Sequence, residues 1–163
     1  MKRATLIMVG PLLIGLWVGV VFADNSRFIF SDMTVKDKHT GLIWMRNANL
    51  GKHDRDGAAE LVRELNREKY AGFDDWTIPS IEELESLVKY ASDLGYNSYP
   101  KGPNKLFNEM GFYEVQAGLY WSSTIWIFMP FSGVAWGMKM DNGNTDQNNK
   151  ANLLYVWPVR DGR

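Results

Sequence analysis

The sequence predicts an α+β fold, and three observations carry that prediction. Short apolar–polar alternations of strand type lie at both ends of the chain. Two stretches of apolar residues at helical spacing lie between them. The helical and strand segments are segregated along the chain rather than alternating, which is the α+β pattern. No internal repeat interrupts that order, so one domain is expected over residues 24–163.

The chain has 163 residues, of which 45% are hydrophobic and 13% aromatic, and it contains no cysteine. That composition is apolar enough for a core and too apolar for a disordered chain. Without cysteine there is no disulfide, thiolate metal site or cysteine nucleophile. The formal net charge of −1 gives no polybasic footprint, so nucleic acid is not an expected partner. Residues 1–23 form a separate unit. Lys2 and Arg3 precede an apolar run, Ala4 to Ala23, broken only by Thr5; Val21-Phe22-Ala23 then gives way to Asp24. A basic start, an apolar middle and a small-residue exit are the layout of a secretory signal. The run is also just long enough to span a bilayer, so a retained N-terminal anchor is the alternative and the one expected route to a membrane. The expected location is therefore outside the cytoplasm, in the periplasm or on the cell surface.

Each element follows in order. Arg27-Phe28-Ile29-Phe30 reads as a short strand, and Val35 to Met45 as a hairpin turning at Lys38-His39-Thr40-Gly41. Asn47 to Asp54 reads as a polar loop. Ala58, Leu61, Val62 and Leu65 recur at helical spacing with Asp54 or Asp56 as cap, giving a helix to about Lys69 whose other face carries the solvated Glu60, Arg63, Glu64 and Arg67. Tyr70 to Pro79 is a connector. Ser80 with Glu83 makes a capping box ahead of Ile81, Leu84, Leu87 and Val88, a second helix ending near Tyr90. Ser92 to Gly118 is rich in Gly, Pro and Asn and reads as a long loop, anchored by Leu106, Phe107, Met110 and Phe112. Leu119 to Met129 and Val134 to Asp141 alternate as strands; Asn142-Gly143 is a turn; Asn144 to Asn152 reads as a polar loop; Leu153 to Val159 reads as a closing strand.

Several ordered blocks resemble the bacterial DUF1566 family, the domain also found at the C-terminus of the Legionella collagen-like adhesin. Asp37, Thr40-Gly41-Leu42 and Trp44-Met45 match its opening block. Leu65-Asn66 closes the first helix. Gly72-Phe73-Asp74-Asp75-Trp76, Pro79 and Glu83-Leu84 match its core, Trp121-Ser122-Ser123-Thr124 its Trp-Ser-Ser block, and Val159-Arg160 its terminal pair. The chain departs from the pattern at Thr77-Ile78, where relatives carry Arg-Leu, and at Trp157, where they often carry Arg. The resemblance implies a C-type-lectin-like fold of two helices packed on an antiparallel sheet with a long irregular loop region. It implies non-catalytic binding work at the envelope or surface, with glycan or protein as partner.

Candidate sites are weighed on chemistry. Asp141, Asn142, Asn144, Asp146, Asn148 and Asn149 crowd one segment, with Lys139 beside it. Amide and carboxylate groups there suit sugar hydroxyls or a protein surface. They are also hard oxygen donors for calcium, although the EF-hand spacing is absent. Trp126, Phe128 and Phe131, with Tyr120, offer rings for stacking on a sugar or partner; the alternative is burial. Asp74 or Asp75 with Glu82 or Glu83 would be the carboxylates of a hydrolase; the alternative is that they hold turns and caps. Arg160 is expected to pair with Asp37 or Asp75. The best reading is an exported adhesin-like binding module without catalytic residues, bound metal or cofactor. A structural subunit burying its aromatic face in a homo-oligomer is the alternative.

Overall fold

In the computed structural model, residues 26–125 and 133–163 are described. Among them the chain is mixed α and β, with three helices and two sheets. Strands β1 (Phe28–Phe30), β2 (Thr34–Asp37) and β3 (Leu42–Met45) form an antiparallel meander, and β9 (Val159–Asp161) returns from the other end of the chain to pair with β3. The second sheet runs in the order β4 (Lys52–His53), β8 (Leu154–Tyr155), β5 (Leu119–Ile125), β6 (Val134–Lys139), β7 (Thr145–Asn149). Among the named strand pairs of the described residues, only β5–β8 is parallel.

Four expectations are corrected. There are two sheets rather than one. The closing strand expected over 153–159 splits, with β8 in one sheet and β9 in the other. The break falls at Trp157-Pro158, where Trp157 Nε1 donates to the Met45 carbonyl at 2.8 Å and its ring lies 5.3 Å from Trp44. The polar segment after Gly143 is the edge strand β7 rather than a loop, because its backbone pairs with β6 whatever its side chains prefer. The loop expected over 92–118 contains a third helix, α3 (Pro103–Met110), with Pro103 in its first turn and Gly111 ending it at φ 111°. A missing amide costs nothing at a helix start, and only glycine readily takes that closing conformation.

Helices α1 (Arg55–Arg67) and α2 (Ile81–Asp93) stand where the spacing predicts them. Asp54 caps α1 by accepting from the Gly57 amide at 2.7 Å. Ser80 and Glu83 form the reciprocal box on α2 at 3.2 and 2.7 Å. Ala58, Val62 and Leu65 of α1, and Leu84, Leu87 and Ala91 of α2, face the core. The Glu60, Arg63, Glu64 and Arg67 side chains pair along the solvated face of α1.

Aromatic edges fill the centre. Phe28, Phe107, Phe112 and Trp157 meet at centroid distances of 5.3–6.1 Å, mostly edge to face. Tyr120 belongs to this core rather than to a binding face: its ring lies 5.3 Å from Tyr155 and its hydroxyl accepts from the Gln116 amide at 2.8 Å. Burial pushes the Tyr120 hydroxyl pKa well up. One buried ion pair ties the first sheet to α2. Arg27 grips Asp37 through Nε and Nη2 at 2.8 and 2.5 Å, and Nη1 donates to the Ser86 carbonyl at 3.0 Å. Burial alone would raise the Asp37 carboxyl; the Arg27 bonds and the His39 amide outweigh it and hold it below its usual value.

Candidate functional site

The motif residues around Trp76 and Pro79, those of Ser123-Thr124 and the terminal Val159-Arg160 meet at one seam between α1, the start of α2, β5 and β9. Asn66 clamps the Trp76 backbone from both sides: its Nδ2 donates to the Trp76 carbonyl at 2.9 Å and its Oδ1 accepts the Trp76 amide at 2.7 Å. The Trp76 indole is buried and donates to the Tyr70 carbonyl at 3.0 Å. Thr77 and Val159 exchange backbone bonds at 2.8 and 3.0 Å, which fixes the last strand beside the connector. The Ser123 amide donates to the Pro79 carbonyl at 2.7 Å, and Thr124 Oγ1 accepts from the Ile81 amide at 3.0 Å, so β5 holds the entry to α2. Ser122 Oγ donates to the Trp136 carbonyl, and Trp121 Nε1 to the His53 carbonyl, both at 2.8 Å. Arg55 donates to the Ser122 and Ser123 carbonyls at 2.6 and 3.2 Å.

The carboxylates of the seam are engaged as well. Asp75 takes a two-pronged grip from Arg160 at 2.6 and 3.0 Å, and the guanidinium lies 4.0 Å over the Phe73 ring. That bond from Arg160 holds the Asp75 carboxyl below its usual value. Of the two partners expected for Arg160, the structure selects Asp75, and Asp37 goes to Arg27. Asp74 lies 3.6 Å from Lys69, and Glu83 closes the α2 cap. Gly41 and Gly72 sit at φ 81° and 86°. The opening-block Thr40 hydroxyl accepts from the Leu42 amide at 3.3 Å. Trp44 is buried, with its indole N–H unpartnered among the described residues.

The residues expected to bind ligand divide. Trp126, Phe128 and Phe131 lie outside the described residues. Asn142 Oδ1 accepts from the Asn144 amide at 3.0 Å, Asp146 Oδ1 from the Gln147 amide at 2.8 Å, and Asn149 Oδ1 from the Ala151 amide at 3.0 Å. Asn148 is buried and bonds the Asp146 carbonyl and the Asn152 amide group at 3.2 and 3.3 Å. These side chains shape the turn and edge of the sheet instead of converging on one point. Among the described residues no group of three His, Asp or Glu side chains converges as a metal site. Asp141 is different: Lys139 Nζ lies 3.5 Å from its Oδ2, while its Oδ1 is buried without a partner.

Asp141 lines a cleft of about 500 Å³ with Tyr99, Pro100, Asn104, Lys105 and Glu109. The loop before α3 and α3 itself supply most of the lining, and Asp141 of the β6–β7 turn faces Gly102. They approach so closely at Gly102 that a Cβ there would stand 2.2 Å from the Asp141 carbonyl oxygen. Tyr99 is 91% exposed. The Asn104 and Tyr99 side chains make no hydrogen bond among the described residues. Lys105 lies 3.9 Å from Glu109, which also accepts from the Tyr96 hydroxyl at 2.7 Å. Reading the sequence as a loop gave no weight to Tyr99 and Asn104. The signal that could have found them was Gly102-Pro103 followed by Leu106, Phe107 and Met110 at helical spacing. A second cleft, of about 570 Å³, is lined by Ser26, Arg27, Lys38, His39, Ser86 and Lys89; its buried guanidinium is already held by Asp37 and Ser86.

The geometry defines a disulfide-free α+β domain of two sheets, locked by a polar seam and carrying a cleft beside its third helix. The chain belongs to the Lcl C-terminal domain family, also known as DUF1566, whose model matches residues 33–160. That membership fits a surface, adhesin-like module in general terms. No curated protein matches the chain.

Proposed function

We propose that this protein is an exported, non-catalytic binding module of the bacterial envelope or cell surface, recognising glycan or protein. One observation carries the reading: the seam's polar groups are engaged with one another, whereas unengaged polar groups and an exposed ring gather in the cleft beside α3. A hydrolase would need a carboxylate pair open to substrate; Asp75 and Glu83 instead hold Arg160 and a helix cap. A C-type-lectin-like arrangement suits this reading, since the last strand closes the first sheet and the irregular segment around α3 carries the ligand. Calcium is not assigned a part in it: each carboxylate of the cleft already faces a cation, Asp141 facing Lys139 at 3.5 Å and Glu109 facing Lys105 at 3.9 Å.

Thermal melting of the full chain against neutral and sulfated glycans, with and without calcium, tests the proposal alongside pull-down from envelope extract. A melting temperature that climbs with ligand concentration is the expected result, because a ligand that binds the native state stabilises it by mass action. No shift together with no captured envelope component would reject the reading.

A further inference from the structure

We infer that the cleft between Tyr99 and Asp141 binds one uncharged pyranose unit, with the Tyr99 ring as stacking platform and Asn104 and Asp141 holding adjacent hydroxyls. This rests on the binding-module reading above and names its ligand class.

Three features carry it. Tyr99 presents nearly its whole side chain to solvent beside Pro100, at the mouth of a cleft of about 500 Å³. An exposed ring beside a largely apolar cleft that carries a few polar groups is a surface on which the apolar face of a sugar stacks. Next, the cleft holds side-chain groups not used by the fold. The Asn104 amide can donate and accept at one place, and the Asp141 side chain is 33% exposed with Lys139 3.5 Å from its Oδ2. Finally, the charges cancel. Lys105 faces Glu109 and Lys139 faces Asp141, so the cleft carries no net charge with which to hold a sulfate or carboxylate.

A peptide fits less well. Extended peptides bind through a row of free backbone groups on a sheet edge. Ser98 and Lys101 close their backbone groups on each other beside the cleft, and on the edge strand β7 the Gln147 amide is covered by Asp146. What the cleft offers is side-chain donors and acceptors at one point, as neighbouring hydroxyls require.

The test is calorimetric titration of the full chain with methyl glucoside, galactoside and mannoside, the N-acetylhexosamines, their trisaccharides, and chondroitin sulfate. Proteins carrying the native sequence, Tyr99→Ala and Asn104→Ala are compared. At least one neutral probe should bind, with affinity unchanged between about 0.05 and 0.5 M salt, since no ion pair is made. Tyr99→Ala should weaken it roughly tenfold at unchanged melting temperature, the loss of one stacked ring. Asn104→Ala should weaken it several-fold. Binding of a glycan that is indifferent to Tyr99→Ala would overturn the cleft assignment while leaving the binding module intact. Binding of chondroitin sulfate alone would overturn the uncharged-ligand assignment in the same way. Silence from every probe would overturn the sugar assignment; if envelope extract still yields a protein partner, the module reading survives it.

Discussion

The seam around Trp76 and the cleft around Tyr99 are built from the same kinds of residue, and they use them in opposite ways. At the seam an asparagine, an aspartate and a tryptophan close on the protein itself: Asn66 on the Trp76 backbone, Asp75 on Arg160, the Trp76 indole on the Tyr70 carbonyl. At the cleft an asparagine, an aspartate and a tyrosine line the opening, and the Asn104 and Tyr99 side chains make no hydrogen bond among the described residues. A residue type therefore does not mark a site. Whether its hydrogen-bonding capacity is satisfied internally does.

Substitutions should separate the two regions by what they damage. The largest effect is expected from Trp76→Ala, which removes a buried ring and its indole bond and should cost ~3–5 kcal/mol, measured by urea unfolding. Asn66→Ala should cost ~1–3 kcal/mol, since it strands the buried Trp76 amide and carbonyl together. A stable Asn66→Ala protein would mean that the connector holds its shape without the clamp.

Acid should act on the same scaffold. The folded state holds Asp37 and Asp75 below their usual carboxyl values, so the stability they contribute is present above about pH 4 and is lost as pH falls through the lowered folded values. Unfolding followed by tryptophan fluorescence from pH 6 to pH 2 should show this, and Asp75→Asn should flatten part of it while costing less than ~1 kcal/mol at neutral pH. The smallest effect on folding is expected from Tyr99→Ala, within ~0.5 kcal/mol, because the side chain is almost fully exposed. A larger loss would make Tyr99 part of the scaffold and dissolve the contrast.

Much of the scaffold was legible because local signals and tertiary need agree there. Asp54 and Ser80 sit at helix starts with the right side chains, and both helices follow. The Val35 to Met45 hairpin is declared by its turn and confirmed by its register, Val35 opposite Trp44. Illegible parts have specific causes. Helix α3 is eight residues long and lies among Gly, Pro and Asn, so composition outweighed its capping signals. Strand β7 reads Thr-Asp-Gln-Asn-Asn, a poor strand sequence that pairs because β6 offers an edge. Asp141 stands in the expected ligand segment, and its neighbours Asn142, Asp146 and Asn149 accept from nearby backbone amides, since Asx turns and ligand sites draw on the same residues. Tyr99 carried no signal, because exposure is a property of the fold and not of the residue.

The pairing of β9 with β3, and of Val159 with Thr77, has a consequence for how the chain is made. The first sheet cannot close, and Asp75 cannot meet Arg160, until the chain has been made through β9. Contacts between such distant points of the sequence form late and slowly. Any fragment that stops short of β9 therefore leaves the first sheet with an open edge on β3.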